Sequence, residues 1–478
     1  MPTTPGRSPA VIIAVLCAAG IAVSLMQTII VPLIPWLPQY LHSSGDNTAW
    51  ALTATLLTGA VSTPISGRLG DMYGKRLIMV LCLAAVVVGS VVCAMTEQLT
   101  PFLIGRALEG FGMGAIALGI SMMRDTLPPE RLGSGIAAMS SSLGVGGALG
   151  LPIAAVIAQA HWHALFWGAG AITLACLVAI LLVMPPSPTQ RSAGFDYLGA
   201  LGLAAALTLL LLPLSKGATW GWTTPLTLGL FAAAVIVFAL WAAYEWRRDD
   251  PLVDLRTTAQ RTVALTNAAS LATGFALFSM SIIPVQLLMA PALTGNGNGL
   301  SMVKAGLFLA PGGLVMFAFS NVGARIIRLF GGRRSLTIGA AVMGLGYLFL
   351  LVMLIADWHI GPWHLVAITS IISAGIGMAY AAMPSLIMGA VPLRQTGEAN
   401  GVNALMRSLG MSSASAIVGM VLATYVIVLQ LPSERGGTEP HAFPSNTGYL
   451  IATIISLIAC VIAVVCASML RGEVEPVD

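Results

Sequence analysis

The sequence predicts an all-α integral membrane protein with fourteen membrane-spanning helices, on the evidence of its composition and its long apolar runs. Of its 478 residues, 57% are hydrophobic and 8% are charged, and the mean hydropathy is +0.91. An ordinary soluble domain has about 25% charged residues. Because so few charges cannot cover the surface of a chain of this length, lipid must surround most of it.

The apolar residues fall into runs that are long enough to cross a bilayer, which takes a helix of about 20 mostly apolar residues. The predicted spans are 10–35, 49–69, 77–95, 101–123, 133–158, 164–184, 197–214, 225–245, 263–290, 304–322, 335–356, 364–390, 401–430 and 448–470. The polar connections between them are too short to bury a soluble core. The first run is predicted to be a retained span, since no signal-peptidase motif precedes a soluble domain.

The positive charges support this topology. If the N-terminus is cytoplasmic, the outer loops hold Lys216, Lys304 and Arg435, the spans hold Arg106 and Arg407, and every other lysine and arginine faces the cytoplasm. An excess of positive charge on the cytoplasmic side is the usual pattern in membrane proteins. It predicts that both termini are cytoplasmic.

The cysteines and histidines indicate no chemistry of their own. The six cysteines lie inside apolar runs without a CxxC pair, and the six histidines fall between the runs. The chain contains neither a Walker A pattern nor an H-E-x-x-H metal pair. We therefore predict no cofactor, no bound metal, no nucleic-acid partner and no enzymatic activity.

The loop after the second span carries a glycine-rich, charged motif, Gly67-Arg68-Leu69-Gly70-Asp71-Met72-Tyr73-Gly74-Lys75-Arg76. The motif resembles the signature of the major facilitator superfamily between that family's second and third helices. Its glycines allow a tight turn at the membrane face, and Asp71 can lie near a helix N-terminus or pair with an arginine. The resemblance implies a conformational latch made of Gly67, Arg68, Asp71, Gly74, Lys75 and Arg76.

A degenerate second copy of the motif lies 257 residues later, after the tenth span. It places Arg325, Ile326, Arg328, Gly331 and Arg333 over Arg68, Leu69, Asp71, Gly74 and Arg76. Two parallel repeats are a transporter plan of this superfamily. The predicted organisation is a six-helix bundle at 1–190, two inserted spans at 191–255 and a second six-helix bundle at 256–478.

Further motifs resemble the fourteen-spanner drug:proton antiporters of bacterial multidrug efflux. The fourth span carries Arg106-Ala107-Leu108-Glu109-Gly110-Phe111-Gly112, and the connectors Phe195–Gly199 and Pro251–Asp254 are also similar to that family. The fifth span resembles the antiporter motif, whose residues here are Gly146, Gly147, Gly150 and Pro152, and these glycines either seal against leakage or simply allow close packing. The chain departs from the pattern at Met26, where members of this branch commonly have an acidic residue.

Under this topology Glu109 is the one carboxylate inside a span. An ionisable group at the bilayer centre costs about 3 kcal/mol or more, so it marks a candidate functional site. Arg106 lies three residues earlier on the same helical face, and the two can pair. One hypothesis makes Glu109 and Arg106 the proton-coupling pair; the alternative is a permanent structural ion pair.

The central cavity is predicted to be lined by apolar and aromatic side chains with a few polar groups. The candidates come from both halves: Met26, Gln27, Trp50, Met113, Asn267, Phe275, Phe278, Gln286, Phe317, Asn403 and Arg407. Each has an alternative as a packing or lipid-facing residue. For Arg407, one hypothesis is that it binds an anionic group of the cargo. The alternatives are that it donates hydrogen bonds to backbone carbonyls, or that its side chain extends to the membrane face.

The resemblance implies a monomeric secondary transporter of the bacterial plasma membrane. It would export lipophilic or cationic small molecules in exchange for protons by alternating access, with membrane lipids around it. A first alternative is a carrier of lipids or lipophilic metabolites without proton coupling, for which the absence of an acid at Met26 is natural. A second is a membrane sensor or scaffold that transports nothing.

Overall fold

The computed structural model describes residues 8–30, 33, 36–48, 50–158, 161–186, 194–392, 395–432 and 438–470. Within these residues, fourteen long helices follow one another. They are α1 (Pro9–Thr28), α2 (Trp50–Tyr73), α3 (Lys75–Met95), α4 (Leu99–Thr126), α5 (Pro129–Ala158), α6 (Trp162–Val183), α7 (Tyr197–Trp220), α8 (Pro225–Arg247), α9 (Arg261–Met289), α10 (Met302–Phe330), α11 (Gly332–Ile355), α12 (Pro362–Ala390), α13 (Thr396–Thr424) and α14 (Asn446–Ser468). Short helices form at Leu37–Tyr40, Gly45–Thr48 and Leu255–Thr258.

Twelve of these helices are long and apolar enough to cross a membrane, among the residues that the structure describes. The two long helices outside this set of twelve are α2 and α5. Threonines, serines, Gly59 and Pro64 lower the mean hydropathy of α2. A multi-pass helical membrane protein is therefore confirmed, and the count of fourteen spans stays a prediction. The predicted cytoplasmic termini and the predicted boundary at residues 190 and 191 lie outside the described residues.

Buried apolar side chains form one main cluster centred on each group of six helices, with Met388 of α12 and Leu143 of α5 packing across to the other group. One cluster joins α1, α3, α4, α5 and α6, and a larger one joins α9 through α14. A third links α2, α7 and α13 through side chains that include Ala60, Leu207 and Leu405. The α7–α8 pair is fixed at one end because the indole N–H of Trp241 donates to the carbonyl of Gly199, and Asp196 accepts from the Gly199 N–H at 2.9 Å.

Two of the connecting turns use glycine in the same way. Gly74 has φ +100° directly before α3, and Gly331 has φ +85° directly before α11. Residues with a Cβ rarely adopt this left-handed backbone region, whereas glycine adopts it without steric cost. These are the two positions that the predicted repeat places over each other, so the two turns share their backbone form.

Two predicted spans run six or seven residues past the ends of their helices. The first span was predicted to run to residue 35, but α1 ends at Thr28. The thirteenth was predicted to run to residue 430, but α13 ends at Thr424 and Val426–Pro432 forms strand β1. It pairs antiparallel with β2 (Thr438–Pro444), with Val426 opposite Pro444. Consecutive β-branched residues at 426–428 favour the strand, and a hydropathy run cannot distinguish it from helix.

Candidate functional site

Arg106 and Glu109 form an ion pair inside α4, and both side chains are completely buried. Arg106 Nη1 donates to Glu109 Oε2. On the other carboxylate oxygen, the hydroxyl of Ser90 from α3 donates to Oε1 at 2.7 Å. A buried charge is tolerated only when it is paired and hydrogen-bonded. Both oxygens of Glu109 meet that condition.

The same guanidinium reaches two further helices. Its Nη1 and Nη2 lie 3.4 Å from the carbonyl oxygen of Met26 on α1, and its Nε lies 3.3 Å from that of Ala51 on α2. The hydroxyl of Thr55 on α2 donates in turn to the Arg106 carbonyl at 2.9 Å. The ion pair therefore connects α1, α2, α3 and α4, so a change in its charge acts on the packing of four helices.

A second polar cluster joins the two six-helix groups at one end. The carboxylate of Asp71, near the end of α2, accepts the N–H of Gly397 at 3.2 Å and that of Glu398 at 2.9 Å. Both donors lie in the first turn of α13. The N-terminus of a helix carries a partial positive charge and free N–H groups, so it attracts a carboxylate. Asp71 thus binds the opposite half of the molecule through main-chain donors.

Lys75 extends this contact from the start of α3. Its Nζ donates to Asp125 Oδ2 at 2.7 Å and to Thr396 Oγ1 at 3.2 Å, and it lies 3.8 Å from Asp71. Because Asp125 belongs to α4 and Thr396 to α13, the lysine also bridges the halves. It balances part of the negative charge that two carboxylates bring to a buried place.

Arg68 and Glu398 form the remaining ion pair of this cluster, with Nη1 3.3 Å from Oε2. The other oxygen of Glu398 accepts the main-chain N–H of Asp254, which precedes α9. The predicted latch did not include Glu398, Asp254 or Asp125. A carboxylate shortly before a predicted helix was the available signal for Glu398.

The two backbones approach closely at this contact. A Cβ added to Gly67 would collide with the main chain of Gly397, and one added to Gly401 would lie 3.0 Å from the Cα of Pro64. Arg76 points away, and its Nη2 donates to the carbonyl of Leu181 on α6. We call the contact of Gly67, Arg68, Asp71 and Lys75 with 396–398 the α2–α13 contact.

The glycines of α5 pack mainly against α1. A Cβ at Gly146 would meet the Ser24 side chain, and one at Gly150 would meet the hydroxyl of Thr28. Gly147 is less crowded, with Thr28 Cγ2 at 4.0 Å. Pro152 lies in α5, but its side chain is outside the described residues. It is Gly144 that meets the other half, through the side chain of Met316 on α10.

Several cavity candidates are buried in contacts of their own. Met26 packs beside Arg106, and Met113 packs against Gly59. The amide of Asn403 on α13 donates to Asn267 Oδ1 on α9 at 3.0 Å.

The other candidates are spread over the bundle. Trp50 lies under the ammonium of Lys216 at 4.8 Å, and Arg407 lies 5.1 Å from the ring of Tyr380. Phe275 is buried, Phe278 and Gln27 are half-buried, and Phe317 and Gln286 are exposed. The described contacts do not bring these candidates together in one cavity. Their assignment stays a prediction.

Comparison with known proteins identifies the fold and the family. The family model for the Major Facilitator Superfamily matches residues 16–197 and 192–415. Among solved structures, the human organic anion transporter MFSD10 aligns with a TM-score of 0.65 at 16% identity, covering 96% of this chain and 100% of that one. The proton:xylose symporter XylE aligns with a TM-score of 0.66 at 14% identity, covering 95% and 94%.

Curated relatives include bacterial resistance proteins. The tetracenomycin C resistance and export protein of Streptomyces glaucescens is 29% identical over 84% of this chain and 74% of its own length. Multidrug resistance protein 3 of Bacillus subtilis is 25% identical over 84% of this chain and 77% of its own. Their bacterial origin and the membrane-spanning helices place this chain in the plasma membrane, which it crosses many times. The chain belongs to the Major Facilitator Superfamily of membrane transporters.

Proposed function

We propose that this transporter exports lipophilic or cationic small molecules in exchange for protons, with Glu109 as the group that takes up the proton. The observation that carries the proposal is the sealed cluster of Arg106, Glu109 and Ser90, which is an ionisable site in the middle of a membrane-spanning helix. The relatives include an export protein and a multidrug resistance protein, and their names support the class of cargo.

Protonation would act through the ion pair. A neutral Glu109 no longer attracts Arg106, whereas the guanidinium keeps its contacts with the carbonyls of Met26 and Ala51. Because the cluster spans four helices, the charge on Glu109 would bias how these helices pack and therefore which side of the membrane is open. In the conformation described here the carboxylate is sealed, so proton exchange would require the helices around it to move apart. That requirement would couple the proton to the movement and prevent a leak.

The α2–α13 contact would control whether the bundle opens at this end. It closes the end of the bundle that is predicted to face the cytoplasm, with Asp71 on one half and the N-terminus of α13 on the other. Opening toward the cytoplasm would separate these groups. The contact would thus stabilise the conformation open to the outside, from which cargo leaves and a proton enters.

The test uses purified protein in liposomes that contain a pH dye, with an opposing gradient of ethidium. We expect proton flux that requires ethidium, is lost in Glu109→Gln and is partly kept in Glu109→Asp, which retains a titratable carboxylate. Glu130→Gln is the matched control, since Glu130 is exposed at the start of α5. Thermal unfolding of each variant separates loss of coupling from loss of folding, because breaking a buried pair costs about 3–5 kcal/mol.

Two results would contradict the proposal and favour a different function. Ethidium movement that ignores the pH gradient and survives Glu109→Gln would indicate an uncoupled carrier of lipids or lipophilic metabolites, which the uncharged Met26 favours, and Glu109 would then have a structural role. Absence of any movement in folded protein, across a panel of lipophilic compounds, would favour a sensor or scaffold.

A further inference from the structure

A cavity of about 640 Å³ lies between the end of α10, the start of α11 and the end of α14. It belongs to the second copy of the loop motif, which the proposed function does not use. Its lining combines three arginines with apolar side chains: Ile327, Arg328, Leu329, Phe330, Gly331, Arg333, Arg334, Thr337, Ile338 and Ser468. No acidic residue is among these lining residues. The cavity is therefore positively charged at a membrane-facing surface.

The arginines are arranged around the turn at Gly331. Arg328 is in the last turn of α10, and Arg333 and Arg334 are in the first turn of α11. Arg333 is held in place because its Nη2 donates to the carbonyl of Ser468 at 2.7 Å, and Arg334 lies 5.6 Å from the ring of Phe330. Each guanidinium has five N–H donors, so these contacts leave donors for an anion. The partial positive charge at the N-terminus of α11 adds to the attraction.

The wall of the cavity is apolar and exposed. Leu329 and Phe330 are 73% and 55% exposed, and Ile338 is also exposed. These side chains belong to α10 and α11, both of which are long and apolar enough to cross the membrane. Large apolar side chains on such helices contact lipid chains, whereas arginines at helix ends lie at the headgroup level.

We propose that this cavity binds an anionic phospholipid of the cytoplasmic leaflet. The phosphate would accept hydrogen bonds from Arg328, Arg333 and Arg334, and the acyl chains would lie along Leu329, Phe330 and Ile338. Basic pockets between helices on the cytoplasmic side are suited to anionic headgroups. One guanidinium group can donate two parallel hydrogen bonds to two phosphate oxygens, which gives such a site geometric specificity.

An acidic part of the chain itself is the competing occupant. Ser468 lines the cavity, and the sequence continues from there to Glu473, Glu475 and Asp478. These carboxylates complement the arginines, but they offer nothing to the exposed apolar wall. A phospholipid matches both the charge and the apolar surface, and the observations therefore favour the lipid.

The test measures lipid bound to the purified full chain by native mass spectrometry, after exchange into mixed phosphatidylglycerol and phosphatidylcholine. We expect selective retention of phosphatidylglycerol, reduced about tenfold or more in Arg328→Gln/Arg334→Gln, since each basic group near an anionic surface contributes appreciably. Arg131→Gln/Arg325→Gln is the matched control, because both arginines are exposed and lie outside the cavity lining. Thermal unfolding in neutral detergent, unchanged in both variants, shows that folding is intact.

Three results would overturn the proposal. An equal loss of lipid in the control variant would indicate general attraction to positive charge. Equal protection against thermal unfolding by glycerol 3-phosphate and by phosphatidylglycerol would indicate a site for free phosphate. A rise in lipid retention when Glu473, Glu475 and Asp478 are all changed to their amides would place the acidic segment in the cavity; unchanged retention supports the lipid.

Discussion

The two copies of the loop motif have the same backbone turn but make different contacts. In the first, Gly74 has a left-handed backbone directly before α3; in the second, Gly331 has one directly before α11. Asp71 in the first copy accepts hydrogen bonds from the start of α13, which belongs to the other half. The position over it in the second copy is Arg328, which lines a cavity between the end of α10, the start of α11 and the end of α14.

The difference shows that the turn and its function are separable. A left-handed glycine fixes how the chain passes from one helix to the next, and both copies keep it. The sign of one side chain decides what the turn can bind: a carboxylate accepts from a helix N-terminus, and a guanidinium donates to an anion. In this way a duplicated element provides a contact between the halves in one copy and a surface for the bilayer in the other.

The largest effect is expected for Asp71→Asn. The substitution keeps the size of the side chain but removes the charge that two main-chain donors bind. Hydrogen bonds to charged groups contribute about 1.5–3 kcal/mol, so the equilibrium should shift about 10- to 100-fold toward the form open at this end. Spin labels at Tyr73 and Gly389, in a cysteine-free background, should report a longer distance. An unchanged distance distribution would show that Asp71 does not hold the halves together.

Gly397→Ala should have the next largest effect. The added Cβ would lie 2.7 Å from Asp71 Oδ1 and 2.7 Å from the carbonyl oxygen of Gly67. Overpacking of this kind typically costs about 1–3 kcal/mol, so we expect the equilibrium to shift about fivefold or more toward the open form, as reported by the same label distance. Gly133→Ala is the control, because its Cβ would meet nothing within 4 Å. Equal shifts in both variants would argue against a close contact at Gly397.

Arg68→Ala should act more weakly. Its pair with Glu398 is partly exposed to solvent, with 15% of the Arg68 side chain accessible, and pairs of this kind contribute about 0–1 kcal/mol. A two- to fivefold shift is expected, and it should shrink at high salt. Arg325→Ala, at the matching place in the second copy, is exposed and should cause none. If Arg325→Ala shifts the equilibrium as much as Arg68→Ala, the two copies contribute alike to closure.

Arg328→Asp should have the smallest effect on the conformational equilibrium. It restores the acidic residue of the motif, but Arg328 lines the cavity between the end of α10, the start of α11 and the end of α14, so we expect the equilibrium to shift less than about twofold. Lipid retention should fall at the same time. A new conformational preference in this variant would mean that one carboxylate is enough to make the second turn a latch.

Local patterns in the sequence predicted the features that depend on neighbouring residues. The three-residue spacing of Arg106 and Glu109 places both on one face of a helix, and the structure shows them as an ion pair. The glycines at 74 and 331 were aligned by a constant offset, and their left-handed backbones agree with it. The family resemblance, carried by the motif at 67–76, is confirmed by the family match over most of the chain.

Features that depend on distant residues were not predicted. Ser90 and the carbonyls of Met26 and Ala51 complete the site of Arg106 and Glu109, but only the packing of four helices brings them there. Glu398 was not among the predicted residues, and nothing in its local sequence indicates Arg68 as its partner. The strand at 426–432 was predicted as the end of a helix because an apolar run has the same hydropathy in either form.

The donors that bind Asp71 are main-chain groups. Substitutions on the two sides of the α2–α13 contact therefore affect its hydrogen bonds differently. Replacing the side chain of Glu398 leaves its N–H in place, and only proline removes such a donor. On the other side, most single-base changes in the codon of Asp71 remove the carboxylate. Replacing the Glu398 side chain can therefore leave these two hydrogen bonds in place, whereas on α2 both depend on the carboxylate of Asp71.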